Sequence, residues 1–350
     1  MKKLLYILPE YRSDAHTHFS YIPDFLARLA PSLSITLLVE RGELPAINGV
    51  RSDYSSLLSV ISARLSGCRT AYVHYSFKGA FLSALIFRLT GGKVFYWNCG
   101  ESWKYGRSFF RGAFERLVYM LVSHVVTGSA GLAQQYATHY GIPRSKVLVM
   151  PNWIDVRGTR GKANREEKRR ALGVGADTKI VVFAHRLSER KGAQYLPDIA
   201  AHLPEDAVLL VIGDGPLRKS VEEKTLSARP AARFLGWQAH DVVLSYMSAA
   251  DAFIMPSDEE GFPHVLLEAF VFGVPFVATD VGAVKEIVPE EALPFIVPSG
   301  DTARFSKALK AALAFSEPEK ERFAEVTAAW VERFDTTAVI ARFLALVSKQ

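Results

Sequence analysis

The chain has 350 residues, 49% of them hydrophobic, and a formal net charge of +6, which excludes a disordered or low-complexity chain and suits two globular domains of about 150 residues each better than one core. Its two cysteines, Cys68 and Cys99, lie far apart with no CxxC or Cys/His cluster, so neither a disulfide framework nor a zinc site is expected. No uninterrupted apolar stretch approaches the roughly 20 residues needed to span a bilayer.

The opening MKKLLYILPEY imitates a signal-peptide n-region, but its apolar run LLYIL stops at Pro9 and Glu10. It reads as a first buried strand, and the protein is expected in the cytoplasm. KLLYILP, SITLLVE, TAYVHYS, KVFYWNC, HVVTGS and KVLVMP are predicted parallel strands, with helices such as THFSYIPDFLARLA and KGAFLSALIFRLTG between them. SDAHTHF, containing Asp14, His16 and His18, falls between the first strand and the first helix. Asn98 follows the strand KVFYW, and Glu101 and Trp103 come just after it. Lys104 to His124 mixes Lys104, Arg107, Arg111 and Arg116 with Phe109, Phe110, Phe114, Leu117 and Tyr119. That mixture fits either a core helix with a solvated charged edge or a face for an anionic membrane. No nucleic-acid motif accompanies the basic residues.

The polar, Gly-containing stretch near 161–177 reads as a linker. The strand–helix alternation then restarts with KIVVFAHR, a helix from Ala193 to Leu203, AVLLVIGD, ARFLGW, AFIM and FVATD. The expected architecture is α/β, with two Rossmann-like domains facing across a cleft and ligand at the carboxyl ends of the strands. Domain limits are placed at 1–160, 178–330 and a closing helix in 331–350 that packs back on the first domain.

At the end of KIVVFAHR, Arg186 and Lys191 flank a turn closed by Gly192; two fixed cations with helix amides can neutralise a diphosphate without metal. GDGP (Gly213 to Pro216) lacks the third glycine of a dinucleotide fingerprint, which sets an NAD enzyme far behind. Trp237 in FLGW reads as a wall of a site or a core residue.

The densest signal is Asp251 to Val288. Glu260 stands next to a helix start made by Gly261, Phe262 and Pro263, and Pro263 suits the first helical turn. Asp258 and Glu259 are expected to be solvated. In the helix PHVLLEAFVFG, Glu268 is the only acid among apolar residues, and a buried carboxylate demands a partner, so it reads as an acceptor for ligand hydroxyls or, equally, as an acid on a narrow exposed edge or paired with a neighbouring arginine.

EGFPHVLLE followed by FGVPFVATDVGAVKEIV resembles the signature of retaining nucleotide-sugar glycosyltransferases of the family 4 type, and the resemblance continues through RLSERKG, VLLVIGDGP, FLGW and PNWID. It implies the GT-B fold, with an N-terminal acceptor domain and a C-terminal donor domain. It implies transfer of a sugar, with retention, from a nucleotide diphosphate sugar to a glycan or lipid-linked acceptor, as in cell-envelope polysaccharide or lipopolysaccharide synthesis. A UDP-sugar is expected ahead of a GDP-sugar, with no metal or other cofactor and with peripheral contact to the inner membrane face. Arg186, Lys191 and Glu260 would be catalytic. Gly213, Trp237, Gly261, Phe262, Pro263 and Glu268 would bind the donor, Glu268 at the ribose. Asp14, His16, His18, Asn98 and Glu101 would line the acceptor side. Two departures stand out: Ser13 and Asp14 replace the usual glycine pair, and Asn98 replaces a histidine, which removes titration there. They keep two rivals alive: a nucleotide-sugar epimerase of the same fold and a relative that binds nucleotide without turnover.

Overall fold

A computed structural model describes residues 1–12, 19, 21–104, 106, 108–175 and 177–348. The chain forms two units, residues 1–151 with 339–350 and residues 152–338.

The first unit runs β1 Lys2–Leu8, α1 Ile22–Leu29, β2 Leu33–Val39, β3 Val50–Tyr54, α2 Leu57–Leu65, β4 Thr70–His74, α3 Phe77–Leu89, β5 Lys93–Trp97, α4 Phe109–Leu121, β6 His124–Thr127, α5 Ala130–Tyr140 and β7 Val147–Val149. Its seven strands lie in the order β3-β2-β1-β4-β5-β6-β7, with every pairing parallel. The central strands are apolar along nearly their whole length because helices cover both faces of a parallel sheet.

The second unit runs α6 Val156–Arg160, α7 Arg165–Ala171, β8 Lys179–Ala184, α8 Leu196–Ala201, β9 Ala207–Ile212, α9 Arg218–Ala228, β10 Arg233–Gly236, α10 His240–Ala249, β11 Ala252–Met255, α11 His264–Val271, β12 Phe276–Thr279, α12 Val284–Ile287, β13 Ile296–Val297, α13 Thr302–Leu313 and α14 Glu317–Val331. Its sheet order is β10-β9-β8-β11-β12-β13, again wholly parallel. Two apolar clusters cover its two faces. The final helix, α15 Thr336–Ser348, belongs to the first unit from Val339 onward, where Phe343 meets Phe25 and Tyr72 at centroid distances of 5.4 and 4.9 Å.

Residues 161–177, expected as linker, instead carry α7 and belong to the second unit; the division falls between Pro151 and Asn152. The polarity of that stretch has a structural cause. Arg165 and Arg169 on α7 reach Asp251 at 2.7 and 3.1 Å, and Asp251 also accepts the Ile180 amide, so the charges pin a surface helix to the start of β8. The helix expected from Ala193 to Leu203 is shorter, a 3₁₀ turn Ala193–Tyr195 followed by α8.

Candidate active site

In a doubly wound sheet the strand order reverses at one point, and the loops leaving the carboxyl ends there diverge. In the second unit that point lies between β8 and β11. The loop after β8 carries His185 to Gly192, the loop after β11 carries Pro256 to Pro263, and the Arg190 carbonyl joins them by accepting the amides of Asp258 (3.0 Å) and Glu259 (3.1 Å).

Glu260 sits where these loops meet. Its side chain is 5% exposed and takes Lys191 Nζ at 2.8 Å on Oε2, with Ser257 Oγ at 2.8 Å and His185 Nε2 at 3.4 Å on Oε1. Burial pushes its pKa up, but the Lys191 ammonium, and after it the His185 contact, outweigh burial and hold the carboxyl at about 2. The backbone amide of Arg186 donates to His185 Nδ1 at 2.9 Å, which leaves the ring proton on Nε2, facing Glu260. The guanidinium of Arg186 is exposed and makes no hydrogen bond or ion pair among the described residues. Lys191 and Glu260, two of the three residues expected to be catalytic, therefore form an ion pair, and Arg186 stands open beside them in sequence. His185 and Ser257 were not foreseen. The signal for His185 was its place beside Arg186 at a strand's carboxyl end.

Asp258 and Glu259 are not the solvated acids expected. Glu259 is buried and takes Arg190 at 2.9 Å, while Asp258 accepts from Gln194 (2.7 Å), Tyr195 (3.1 Å) and Ser299. The run of three acids thus fastens the loop to its surroundings.

Gly261, Phe262 and Pro263 lead into α11 as expected, one position later than anticipated: Pro263 is the N-cap and His264 the first helical residue. No side-chain hydrogen bond caps this end, and the start of a helix is the arrangement that attracts anions. The Phe262 ring is buried against Phe334, at 5.7 Å between centroids, so only its backbone can face a ligand. Asn152 of PNWID holds that backbone in place, donating Nδ2 to the Phe262 carbonyl at 3.0 Å. Gly282 supports it from the other side: at φ +56°, a Cβ there would lie 1.8 Å from the Glu260 carbonyl oxygen.

Glu268, one turn into α11, is nearly buried as its apolar surroundings required. Its partner is not an arginine but His240, the first residue of α10, with Nε2 2.7 Å from Oε1. That hydrogen bond raises the His240 pKa against the effect of burial. His264 lies four residues before Glu268, and enclosure lowers its pKa to about 4 in spite of the acid's attraction.

Gly213 closes β9 with φ +133° and packs its α-carbon so near the His185 carbonyl that a Cβ would meet that oxygen at 2.0 Å. Its amide donates to the Gly236 carbonyl at 2.7 Å, tying the ends of β9 and β10. Trp237 follows β10 and is 45% exposed, as a wall would be.

In the first unit, Asp14, His16 and His18 lie outside the described residues. Asn98 is buried, with Nδ2 on Tyr119 OH at 3.0 Å and Oδ1 taking the Gly100 amide at 2.9 Å. Glu101 is buried too and pairs with Lys104 at 2.8 Å. Trp103 stacks on His139 at 5.1 Å, so it packs against α5. Among the described residues no His/Cys/Asp/Glu cluster could hold a metal, and no helix is long and apolar enough to cross a membrane.

Residues 164–330 match the family described as glycosyl transferases group 1. Among curated proteins, the chain is 30% identical over 235 residues to 2-deoxystreptamine N-acetyl-D-glucosaminyltransferase of Streptomyces fradiae, covering 65% of this chain. That match spans 56% of the relative, so the chain spans about half the length of such a protein. Among solved structures, HepE of Anabaena in complex with UDP and glucose superposes over 100% of both chains with a TM-score of 0.79 at 17% identity. A lipopolysaccharide outer core galactosyltransferase, WaaB in its apo form, matches over 99% of this chain and 100% of its own with a TM-score of 0.73 at 14% identity. The two parallel sheets of seven and six strands are the GT-B fold of these structures.

Proposed function

We propose, from the match of residues 164–330 to the glycosyl transferases of group 1, that the chain moves a sugar, with retained anomeric configuration, from a nucleotide diphosphate sugar to an acceptor hydroxyl. The observation that carries the reading is the placement of the Lys191–Glu260 ion pair, the open Arg186 guanidinium and the uncapped start of α11 on the two loops of one strand switch point.

The chemistry follows from charge. Breaking the bond between the anomeric carbon and the diphosphate leaves negative charge on the leaving phosphate oxygens, and a site accelerates the step by stabilising that charge as it develops. Arg186, Lys191 and the amides at the start of α11 supply positive charge without requiring a metal. The acceptor oxygen bonds to the anomeric carbon on the face the diphosphate leaves, and its proton passes to the departing phosphate oxygen. Glu260 would receive hydroxyls of the donor sugar once Lys191 turns to the phosphate, and Glu268 would receive those of the ribose. UDP-sugars are the first donors to try, in keeping with the UDP and glucose held by HepE.

The acceptor is proposed to be a glycan or a lipid-linked glycan of the kind used in envelope polysaccharide synthesis. On α4, Phe109 and Phe110 are 84% and 83% exposed, and Phe114, Leu117 and Met120 share their side of the helix. Arg111 and Arg116 border this apolar stripe, while Arg88 and Lys146 bond the carbonyls of Leu121 and Met120 at its end. Rings with cations beside them favour an anionic membrane surface over a core helix with a solvated edge.

The test is a thermal-shift series with UDP, GDP, ADP and NAD, followed by incubation with the corresponding nucleotide sugars. A ligand at one hundred times its dissociation constant adds about 2.7 kcal/mol, a shift of several degrees. A shift with one nucleoside diphosphate and acceptor-dependent release of it would support transfer. Conversion of the sugar nucleotide without acceptor would indicate an epimerase, and binding without turnover an inactive relative.

A further inference from the structure

His240 is an unusual neighbour for a ligand-binding carboxylate. Its side chain is 62% exposed and that of Glu268 only 10%, yet its Nε2 closes on Glu268 Oε1 at 2.7 Å. Glu268 Oε2 carries no hydrogen bond among the described residues. The carboxylate is therefore held by one oxygen, from the solvent side, by a ring with room to swing away. The ribose of a nucleotide offers two adjacent hydroxyls, both donors, and the pair fits a carboxylate best when each takes one oxygen. Oε1 is then needed by two partners.

We propose that His240 is a positioning residue that occupies the ribose-binding carboxylate until a nucleotide sugar displaces it. The inference rests on Glu268 being the ribose acceptor.

The charged groups around His240 fix the sign of the effect. Glu268 faces it from α11 with His264 one turn earlier, Asp241 follows it on α10, and Lys162 reaches in from the turn after α6. Lys162 Nζ lies 2.6 Å from Asp241 Oδ2, so those two charges largely cancel. His264 stays neutral near neutrality, its pKa lowered to about 4. Glu268 is thus the group that keeps a proton on His240, and a displaced His240 gives that proton up. Donor binding is coupled to proton release, so affinity falls as pH falls through the titration of His240 in the donor-free protein.

Calorimetric titration with UDP-glucose and GDP-mannose between about pH 5.5 and 8.5 tests this, because their diphosphate diesters keep one charge state across that range while free UDP does not. The parent protein should lose affinity on acidification by up to the roughly tenfold per pH unit that one proton allows, and the His240→Gln variant should be flat within about twofold and bind more tightly at the acid end. In parallel, the imidazole resonances of His240 should titrate at lower pH in Glu268→Gln than in the parent. A flat profile for the parent, or an unchanged slope in His240→Gln, overturns the proposal and leaves the transferase reading intact. Failure of both sugar nucleotides to bind at any pH overturns the donor reading and this proposal with it.

Discussion

Lys191 Nζ lies 2.8 Å from Glu260 Oε2, so the cation proposed to meet the diphosphate and the acid proposed to hold the sugar neutralise each other. Both are largely shielded from water, with side chains 18% and 5% exposed, and the Lys191 ammonium keeps Glu260 charged where burial would otherwise discharge it.

Lys191→Ala is expected to lower turnover by roughly 10²- to 10³-fold, the scale of losing one charge stabiliser from a transition state. It leaves Glu260 with His185 and Ser257, so a stability loss of about 2 kcal/mol is expected as well. Steady-state rates with the identified donor, alongside a melting curve, check both. Unchanged turnover would remove Lys191 from the machinery.

The low pKa of Glu260 carries a second expectation. A carboxyl at about 2 in the folded chain, against about 4.3 unfolded, stabilises the fold fully above the unfolded value and loses that contribution as pH drops toward 2. Acid unfolding midpoints for the parent and Glu260→Gln should converge across that window. If the two keep a constant separation down to the acid limit, the ion pair is not what sets the shift.

His264 acts in a neighbouring range. Its pKa is about 4 folded and about 6.5 unfolded, so between those values the unfolded chain binds the extra proton and stability falls as pH is lowered. His264→Asn should flatten the stability profile between about pH 6.5 and 4. Chemical denaturation at several pH values reads this directly, and an unaltered profile would count against enclosure as the cause.

Gly282→Ala should be among the most damaging small substitutions, because its Cβ would have to displace the Glu260 backbone oxygen lying 1.8 Å away and the backbone there is left-handed. A loss of more than about 2 kcal/mol is expected, together with weaker nucleotide binding. A melting temperature within a degree of the parent would show that the loop relaxes freely.

For the membrane reading, sedimentation with vesicles containing phosphatidylglycerol at low salt should carry the protein down, and Phe109→Glu with Phe110→Glu should abolish most of it. Binding that survives both changes, or none in the parent, would place the acceptor elsewhere.

The fold was legible wherever strands are covered on both faces, because such strands are continuous apolar runs; β1, β5, β8 and β11 all read that way. The two strands missed are at sheet edges: β3, whose sequence VRSDY is half polar, and β13, only two residues long. In the candidate site, Arg186, Lys191, Glu260 and Glu268 stand out in the sequence because each belongs to a compact local motif. The long-range partners His240 and Asn152 do not. His240 meets Glu268 from 28 residues away and Asn152 meets Phe262 from 110, distances at which spacing along the chain holds no information. The polarity of α7 was misread as a linker for the same reason, since Arg169 and Asp251 are 82 residues apart.

The return of α15 to the first unit has a practical side. That unit is not one continuous stretch of gene: a fragment translated only through Pro151 would leave Phe25 and Tyr72 without Phe343. Such a fragment would present a bare aromatic seam to every other copy of itself and should clump on expression, whereas splicing codon 339 onward after codon 151 would give the seam its own lid.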